Sequence, residues 1–316
     1  MKSKLLIFFL ASRPKFLTAS AAPVLVGTAL AFAGTGAFSP QLFVLALLAT
    51  MFLHCGANIA NDYFDHTSRN DWLNKNPTPF SGGRRYIQQG ILSPRTTLLL
   101  ALVALAIGAS LGIYIVYLTR SIFILILGLI GLLGGFFYTA PPIRLGYRCL
   151  GEPAIAFLFG ILPVYGSFYL QTQVLDNIPC SVWLTPLVPA VIVGILIFLV
   201  IFINEFPDVA ADAAVNKRTL VVRFGVPVSV WIYRIALAAS YLIAAAGILL
   251  YCCPLALAGF LYILTLPIAI VAFRAANKDD LLKPGQYRAS QLTVLLHILG
   301  SLALTIGFII FGLFGR

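Results

Sequence analysis

Six of the ten acidic residues of this 316-residue chain fall in two short stretches. The first reads Asn58-Ile-Ala-Asn61-Asp62-Tyr63-Phe64-Asp65, with Asp71 soon after. The second reads Asn204-Glu205-Phe206-Pro207-Asp208-Val209-Ala210-Ala211-Asp212. On a helix, Asn58, Asp62 and Asp65 share one face, and Asn204, Asp208 and Asp212 repeat it at i, i+4 and i+8. Each stretch carries Asn-x-x-x-Asp, and the two copies are offset by 146 residues. Like charges on one face raise one another's pKa, and carboxylates beside a bilayer are costly. A cation removes both problems. Magnesium takes oxygen ligands, usually one or two carboxylates, with water and phosphate completing its octahedron. Two facing clusters, with Asp62, Asp65, Asp208 and Asp212 as ligands, therefore suit two Mg²⁺ around one diphosphate. Asn58 and Asn204 share those faces, and Arg84, Arg85, Lys217 and Arg218 follow closely enough to take remaining phosphate oxygens. A single Asp-x-x-Asp at a helix end is ordinarily a solvated boundary; it is the matched pair that argues for a site.

The elements that must position these residues are membrane helices. Sixty per cent of the chain is hydrophobic and 10% charged, with a mean hydropathy of +0.99. Soluble domains carry about 45–50% apolar and about 25% charged residues, which excludes that class. Continuous apolar runs of about 20 residues suit helices that cross the hydrocarbon core and argue against a β-barrel. The expected fold is all-α and polytopic, a single domain over 1–316. Nine helices are expected near 16–35, 41–64, 96–118, 121–138, 152–171, 182–204, 228–251, 254–273 and 294–314. Residues 1–14 read as an interfacial segment, and loops 65–95 and 205–227 carry the site. Four helices separate the two acid motifs, so both motif helices run in the same direction, as in a parallel repeat of four-helix units.

The net charge of +11 has a topological reading. Eighteen basic residues fall in the N-terminal segment and the loops after the even-numbered helices, against Arg120 and Arg316 on the other side. Basic residues favour cytoplasmic loops, so the N-terminus and site loops are expected in the cytoplasm, with the C-terminus outside. The excess is thereby explained without a nucleic-acid partner. Cys55, Cys149, Cys180, Cys252 and Cys253 lack CxxC spacing and companion histidines, so neither zinc nor a disulfide framework is indicated.

The motifs Asn61-Asp62-Tyr63-Phe64-Asp65 and Asp208-Val209-Ala210-Ala211-Asp212, with Asn216-Lys217-Arg218-Thr219 and Arg223-Phe224-Gly225 following, resemble the UbiA superfamily of intramembrane prenyltransferases. Arg13-Pro14-Lys15 and Tyr138-Thr139-Ala140-Pro141-Pro142 are similar to that family's start and to its loop after the fourth helix. The resemblance covers nearly the whole chain. It implies Mg²⁺-dependent transfer of a polyprenyl group from its diphosphate to a small acceptor, with Asn61 and Arg144 joining the phosphate-facing groups. The hydroxybenzoate branch carries a third acid where Arg69 stands here. Asp71, Ser81-Gly82-Gly83, Gln88-Gln89-Gly90 and Gly146-Tyr147-Arg148 to Gly151-Glu152 look instead like the dihydroxynaphthoate branch, which implies an aromatic acceptor that loses its carboxylate. A glycerol phosphate acceptor, as in archaeal-type lipid synthesis, stays open within the family.

Tyr138 and Tyr63, with Phe64, are candidates to stabilise an allylic cation through their ring faces. Glu152 and Asp71 are candidates to meet the acceptor. His66 reads as a loop residue, and His54 and His297 as packed histidines. A cation-coupled transporter also uses repeats and intramembrane acids, but here the acids gather at one membrane face.

Overall fold

The computed structural model describes residues 4–172, 184–250 and 254–315. Among them the regular elements are helices, as expected, and the backbones of Arg148 and Arg218 meet in an isolated bridge. The first half comprises α1 (Lys4–Ala11), a 3-10 turn (Pro14–Phe16), α2 (Thr18–Thr35), α3 (Pro40–Thr67), the short α4 (Asn70–Leu73), α5 (Pro94–Thr119) and α6 (Ile122–Phe136). The second opens with α7 (Gly151–Ile155), which runs through a π turn (Ala156–Ile161) into α8 (Leu162–Thr172). It continues with α9 (Leu187–Glu205), α10 (Val209–Ala214), α11 (Leu220–Phe224) and α12 (Val226–Leu250). The chain closes with α13 (Pro254–Ile263), α14 (Leu266–Ala275), α15 (Lys278–Leu281) and α16 (Arg288–Phe314).

Serines set the starts of α3, α5 and α6. Ser39, Ser93 and Ser121 accept from the backbone N–H of Leu42, Thr96 and Ile124, and Pro40 and Pro94 occupy first-turn positions. Small residues let the helices approach closely, as membrane packing favours. A Cβ at Gly27 would collide with the Val164 carbonyl, and one at Gly307 with the Ala258 backbone. The main core surrounds α9, where Phe202, Phe206, Tyr233, Tyr262 and Phe308 are fully buried. Leu99, Ile113, Ile122, Ile235 and Leu242 turn outward as an apolar surface for lipid.

Each of the nine expected segments contains helix, but 121–138 is helical only to Phe136, 182–204 only from Leu187 on as an α-helix, and 254–273 is broken at Leu264 and Thr265; 182–183 and 251 lie outside the described residues. Among the described residues, seven helical stretches are long and apolar enough to cross a membrane, and α13 with α14 makes an eighth if their 47° bend is one broken span. The remaining expected span, the fourth (121–138), is α6, which has 15 residues. At 1.5 Å per residue it rises about 22 Å, short of the ~30 Å hydrocarbon core.

The second acid motif departs from the expected single helical face. α9 stops at Glu205, Asp208 lies in a turn, and Asp212 rides on α10. Pro207 is the reason: it lacks an N–H and its ring clashes with the preceding turn. α4, following the first motif, packs against α10, following the second, so both acid clusters meet at one end of the bundle.

Candidate active site

Asp62 and Asp65 stand on the last turns of α3, both buried. Asp71 of α4 and Asp212 of α10 are buried beside them. α4 and the loop that follows it fold across to the second motif. Asn70 Nδ2 donates to Asp212 Oδ1 at 2.7 Å, and Asn74 Nδ2 to Asp208 Oδ1 at 2.7 Å. The backbone N–H of Gly82 donates to Asp208 Oδ2 at 3.1 Å. Gly83, at φ +68°, is where the backbone comes closest: a Cβ there would stand 3.1 Å from both Asp62 Oδ1 and Asp71 Oδ2. Gln88 Nε2 donates to Asp71 Oδ2 at 3.1 Å.

Two cations enter this cluster. Lys217 Nζ lies 3.4 Å from Asp65 Oδ2 and 3.5 Å from Asp212 Oδ1, tying the first motif to the second. Arg13 pairs with Asp62 and donates to Asn61 Oδ1 at 3.1 Å, while Asn61 Nδ2 donates to Asp65 Oδ2 at 3.0 Å. Five carboxylates thus face two cations. Burial, then Asp65 and Asp62, push the Asp71 carboxyl up to about 8; burial, then Asp212, push Asp208 up to about 6. Burial works against the charge on Lys217, but Asp212 and Asp65 outweigh it and raise the ammonium above its usual range. Burial, then Glu205, raise the Tyr138 hydroxyl, which stays protonated.

Several expected site residues lie elsewhere. Arg218 is exposed, and its carbonyl accepts from Cys149 N–H at 2.8 Å. Its neighbour Lys217 takes the inward direction, because successive side chains of an extended stretch point opposite ways. Arg84 Nε donates to the Leu10 carbonyl at 2.8 Å and Arg85 to the Asn74 carbonyl at 3.1 Å, so both fasten backbone around the site. Arg144 is exposed over the Tyr147 ring. Asn58 donates to the Ser12 carbonyl at 3.1 Å, holding the N-terminal segment on α3. Tyr63 lines a separate surface hollow with His66 and Trp72, since a one-residue step on a helix turns about 100° from the Asp62 direction. Phe64 packs on Phe136. Tyr138 does stand at the site, electrostatically coupled to Asp65, Lys217, Glu152 and Glu205. Asn204 is buried and its Oδ1 meets no donor.

Arg13, Asn70, Asn74 and Gly82 are site residues that motif spacing does not pick out. Asn70 and Asn74 follow the first motif at i, i+4, a spacing that puts both amides on one side. Only the folded loop shows that they reach the second motif.

An apolar cavity of about 200 Å³ runs between α2, α3, α5, α6 and α8. Its walls include Leu53, Gly108, Gly112, Gly128, Gly131, Gly135 and Phe159. A Cβ at Gly135 would lie 3.5 Å from Ala57, one turn before Asn61, so the cavity leads toward the first acid pair.

Among the described residues, no three His, Cys, Asp or Glu side chains converge closely enough to hold a metal alone. The donor set nevertheless fits Mg²⁺. Carboxylates outnumber cations, Asp65 Oδ1 is buried without a partner, and Mg²⁺ needs only one or two carboxylates when phosphate supplies the rest. The sequence model of the UbiA prenyltransferase family matches residues 20–286, a range that includes both acid motifs. The chain belongs to this family. Membership makes it a prenyl-transferring membrane enzyme. It is 30% identical to the 1,4-dihydroxy-2-naphthoate octaprenyltransferase of Haemophilus influenzae, over 97% of this chain and 98% of that protein. It is 28% identical to the 2-carboxy-1,4-naphthoquinone phytyltransferase of Synechocystis, over 78% of this chain and 76% of that one. Among solved structures, a UbiA homolog from Archaeoglobus fulgidus bound to GPP and Mg²⁺ shares the fold, with a TM-score of 0.68, 18% identity, and coverage of 95% and 98% of the two chains.

Proposed function

We propose that this UbiA family member transfers a polyprenyl group from its diphosphate to a dihydroxynaphthoate, with loss of the ring carboxylate as carbon dioxide. The observation that carries the diphosphate end is Lys217, which bridges Asp65 of one acid motif and Asp212 of the other. The naphthoate end is supported by the relatives named above and by the Asp71 and Gly151-Glu152 features of this chain.

Asp62 and Asp65 would hold one Mg²⁺, and Asp208 and Asp212 a second. When bound, the ions neutralise the diphosphate and stabilise it as a leaving group. Around them the protein supplies fixed dipoles and charges where negative charge develops. Lys217 and Arg13, which reach these carboxylates, would be the cations available to phosphate oxygens when the ions are held there. Asn70, Asn74 and Gly82 hold the second Asp pair in place, and Gly83 lets the loop lie close over the first. The Tyr138 ring faces the allylic cation, and the polyprenyl tail lies in the glycine-walled cavity. The site is oriented to the cytoplasm, where the basic loops lie.

Purified protein in lipid nanodiscs, given a polyprenyl diphosphate, 1,4-dihydroxy-2-naphthoate and Mg²⁺, is expected to yield a prenylated naphthol lighter by one carboxyl group. A product that retains the carboxylate, or product formed only with hydroxybenzoate or a glycerol phosphate, overturns the acceptor assignment.

A further inference from the structure

The loop that reaches the acids is fastened at an aromatic side chain outside the site. Thr78 Oγ1 accepts from the backbone N–H groups of Phe80 and Ser81 at 3.1 and 3.0 Å, which closes a tight turn. The Phe80 ring centroid lies 6.3 Å from that of Phe16, edge to face at 73°, and 5.9 Å from that of Tyr287 at 44°. Both separations fall where aromatic rings attract one another. Lys15 Nζ lies 4.1 Å from the Phe80 centroid, a cation–π contact. Phe16 ends the turn that leads into α2, and Tyr287 immediately precedes α16. Because α2 and α16 pack against each other, the ring is seated on a firm base.

Two residues further on, the same loop touches both acid motifs. The Gly82 N–H donates to Asp208 Oδ2 at 3.1 Å, and Gly83 lies against Asp62 and Asp71. Gly82 and Gly83 have φ of +74° and +68°, and glycines move freely among such conformations, so the loop needs an outside hold to keep one of them. A two-residue step spans at most about 7 Å, so the ring and the Gly82 amide cannot shift independently. We propose that Phe80 is a positioning residue: its seat on Phe16, Tyr287 and Lys15 keeps the loop docked on Asp208 and Asp62 before substrate arrives. The inference rests on the proposed function, in which those aspartates hold Mg²⁺ and the donor diphosphate. Apparent affinity falls with the fraction of molecules in the binding-competent conformation. Without the seat, Mg²⁺ and donor must dock the loop themselves, which raises their apparent constants and leaves kcat at saturation.

The test compares wild type, F80A, F80Y and Y287A as full-length protein in nanodiscs. Amide hydrogen exchange over residues 78–83 is measured first, without Mg²⁺ or donor. Steady-state kinetics follow, with Mg²⁺, a polyprenyl diphosphate and 1,4-dihydroxy-2-naphthoate. F80A should exchange this segment about tenfold faster and need about tenfold more Mg²⁺ and donor for half-maximal rate, with kcat within about threefold of wild type. F80Y keeps the ring face and should stay within about twofold of wild type in every measurement. Y287A removes one ring of the seat and should move in the same direction as F80A by less; it decides if F80A loses exchange protection throughout its helices. Wild-type exchange over 78–83 in F80A overturns the positioning role. So does a fall in kcat with unchanged Mg²⁺ and donor constants, or an F80Y as impaired as F80A. A wild-type protein that transfers no prenyl group overturns the proposed function, while the exchange measurement, which uses no substrate, still decides whether Phe80 docks the loop.

Discussion

Asn70 donates a 2.7 Å hydrogen bond to Asp212 Oδ1 across 142 positions of sequence. Through it, the loop that follows the first acid motif takes hold of the second. Asn74 repeats the contact on Asp208. The two halves are therefore joined at the carboxylates themselves, and the geometry of the proposed metal site depends on the segment after the first motif as well as on the helices that carry the acids.

That dependence sharpens what single substitutions should do. Asp62→Asn, Asp65→Asn, Asp208→Asn and Asp212→Asn each remove a charge from the proposed diphosphate site while keeping shape and hydrogen-bonding capacity. Each should lower kcat/KM by at least about 100-fold, about 2.7 kcal/mol of barrier. Chelation should abolish activity and added Mg²⁺ restore it. Full activity in all four variants, measured by product formation in nanodiscs, would remove the metal assignment.

Much of this site is legible in the sequence, and the boundary of legibility is physical. The Asp spacings, Lys217, Tyr138 and the long apolar runs are local signals, and local periodicity fixes which residues share a face. Lys217 and Arg218 look equivalent as sequence, but the short extended stretch between α10 and α11 sends one inward and the other to the surface. Tyr63 sits in the motif yet faces another hollow, because helix geometry separates it from Asp62. Arg13 meets Asp62 from 49 positions away, a contact that only tertiary packing creates.

The buried acids make stability depend on pH and metal together. Asp71 is pushed up to about 8 and Asp208 to about 6, against about 3.9 for an unfolded aspartate. Between about pH 4 and 8 the metal-free native state therefore binds more protons than the unfolded chain, and its stability falls as pH rises. Chelated protein should melt at a lower temperature at pH 8 than at pH 6, and saturating Mg²⁺ should raise Tm more at pH 8. A chelated Tm that climbs from pH 6 to 8 contradicts this.

The cavity walls should set how long a tail is accepted. Nothing lies within 4 Å of a Cβ placed at Gly128 or Gly131, so a larger side chain there has room to enter the cavity. Gly128→Leu should lower kcat/KM for a long polyprenyl donor about tenfold, about 1.4 kcal/mol, and change a ten-carbon donor little. Equal losses for both donors would place the tail elsewhere.

Orientation can be read with single cysteines in a cysteine-free background. Lys75 and Arg120 are both exposed, one in the loop after α4 and the other at the end of α5. From the basic-loop bias, position 75 is expected in the cytoplasm and position 120 outside. A membrane-impermeant maleimide added to intact cells should label R120C and leave K75C unlabelled. Labelling of K75C alone reverses the orientation.

Lys217 and Arg218 provide the last contrast. Lys217 Nζ stands 3.4 and 3.5 Å from Asp65 Oδ2 and Asp212 Oδ1, while Arg218 is exposed. If Lys217 turns to the diphosphate, Lys217→Ala loses a hydrogen bond between charged groups, about 1.5–3 kcal/mol. That corresponds to a rise of about 10–100-fold in the donor KM, with a further fall in kcat if the contact tightens as the diphosphate departs. The acceptor KM should stay within twofold. Arg218→Ala should match wild type for both substrates, because its backbone carbonyl makes the contact to Cys149 and survives the change. Steady-state kinetics with each substrate varied in turn separates these outcomes. A Lys217 variant with a lowered Tm but an unchanged donor KM would make the lysine a structural clamp between the two motifs. A donor effect in Arg218→Ala equal to that in Lys217→Ala would return the arginine to the site.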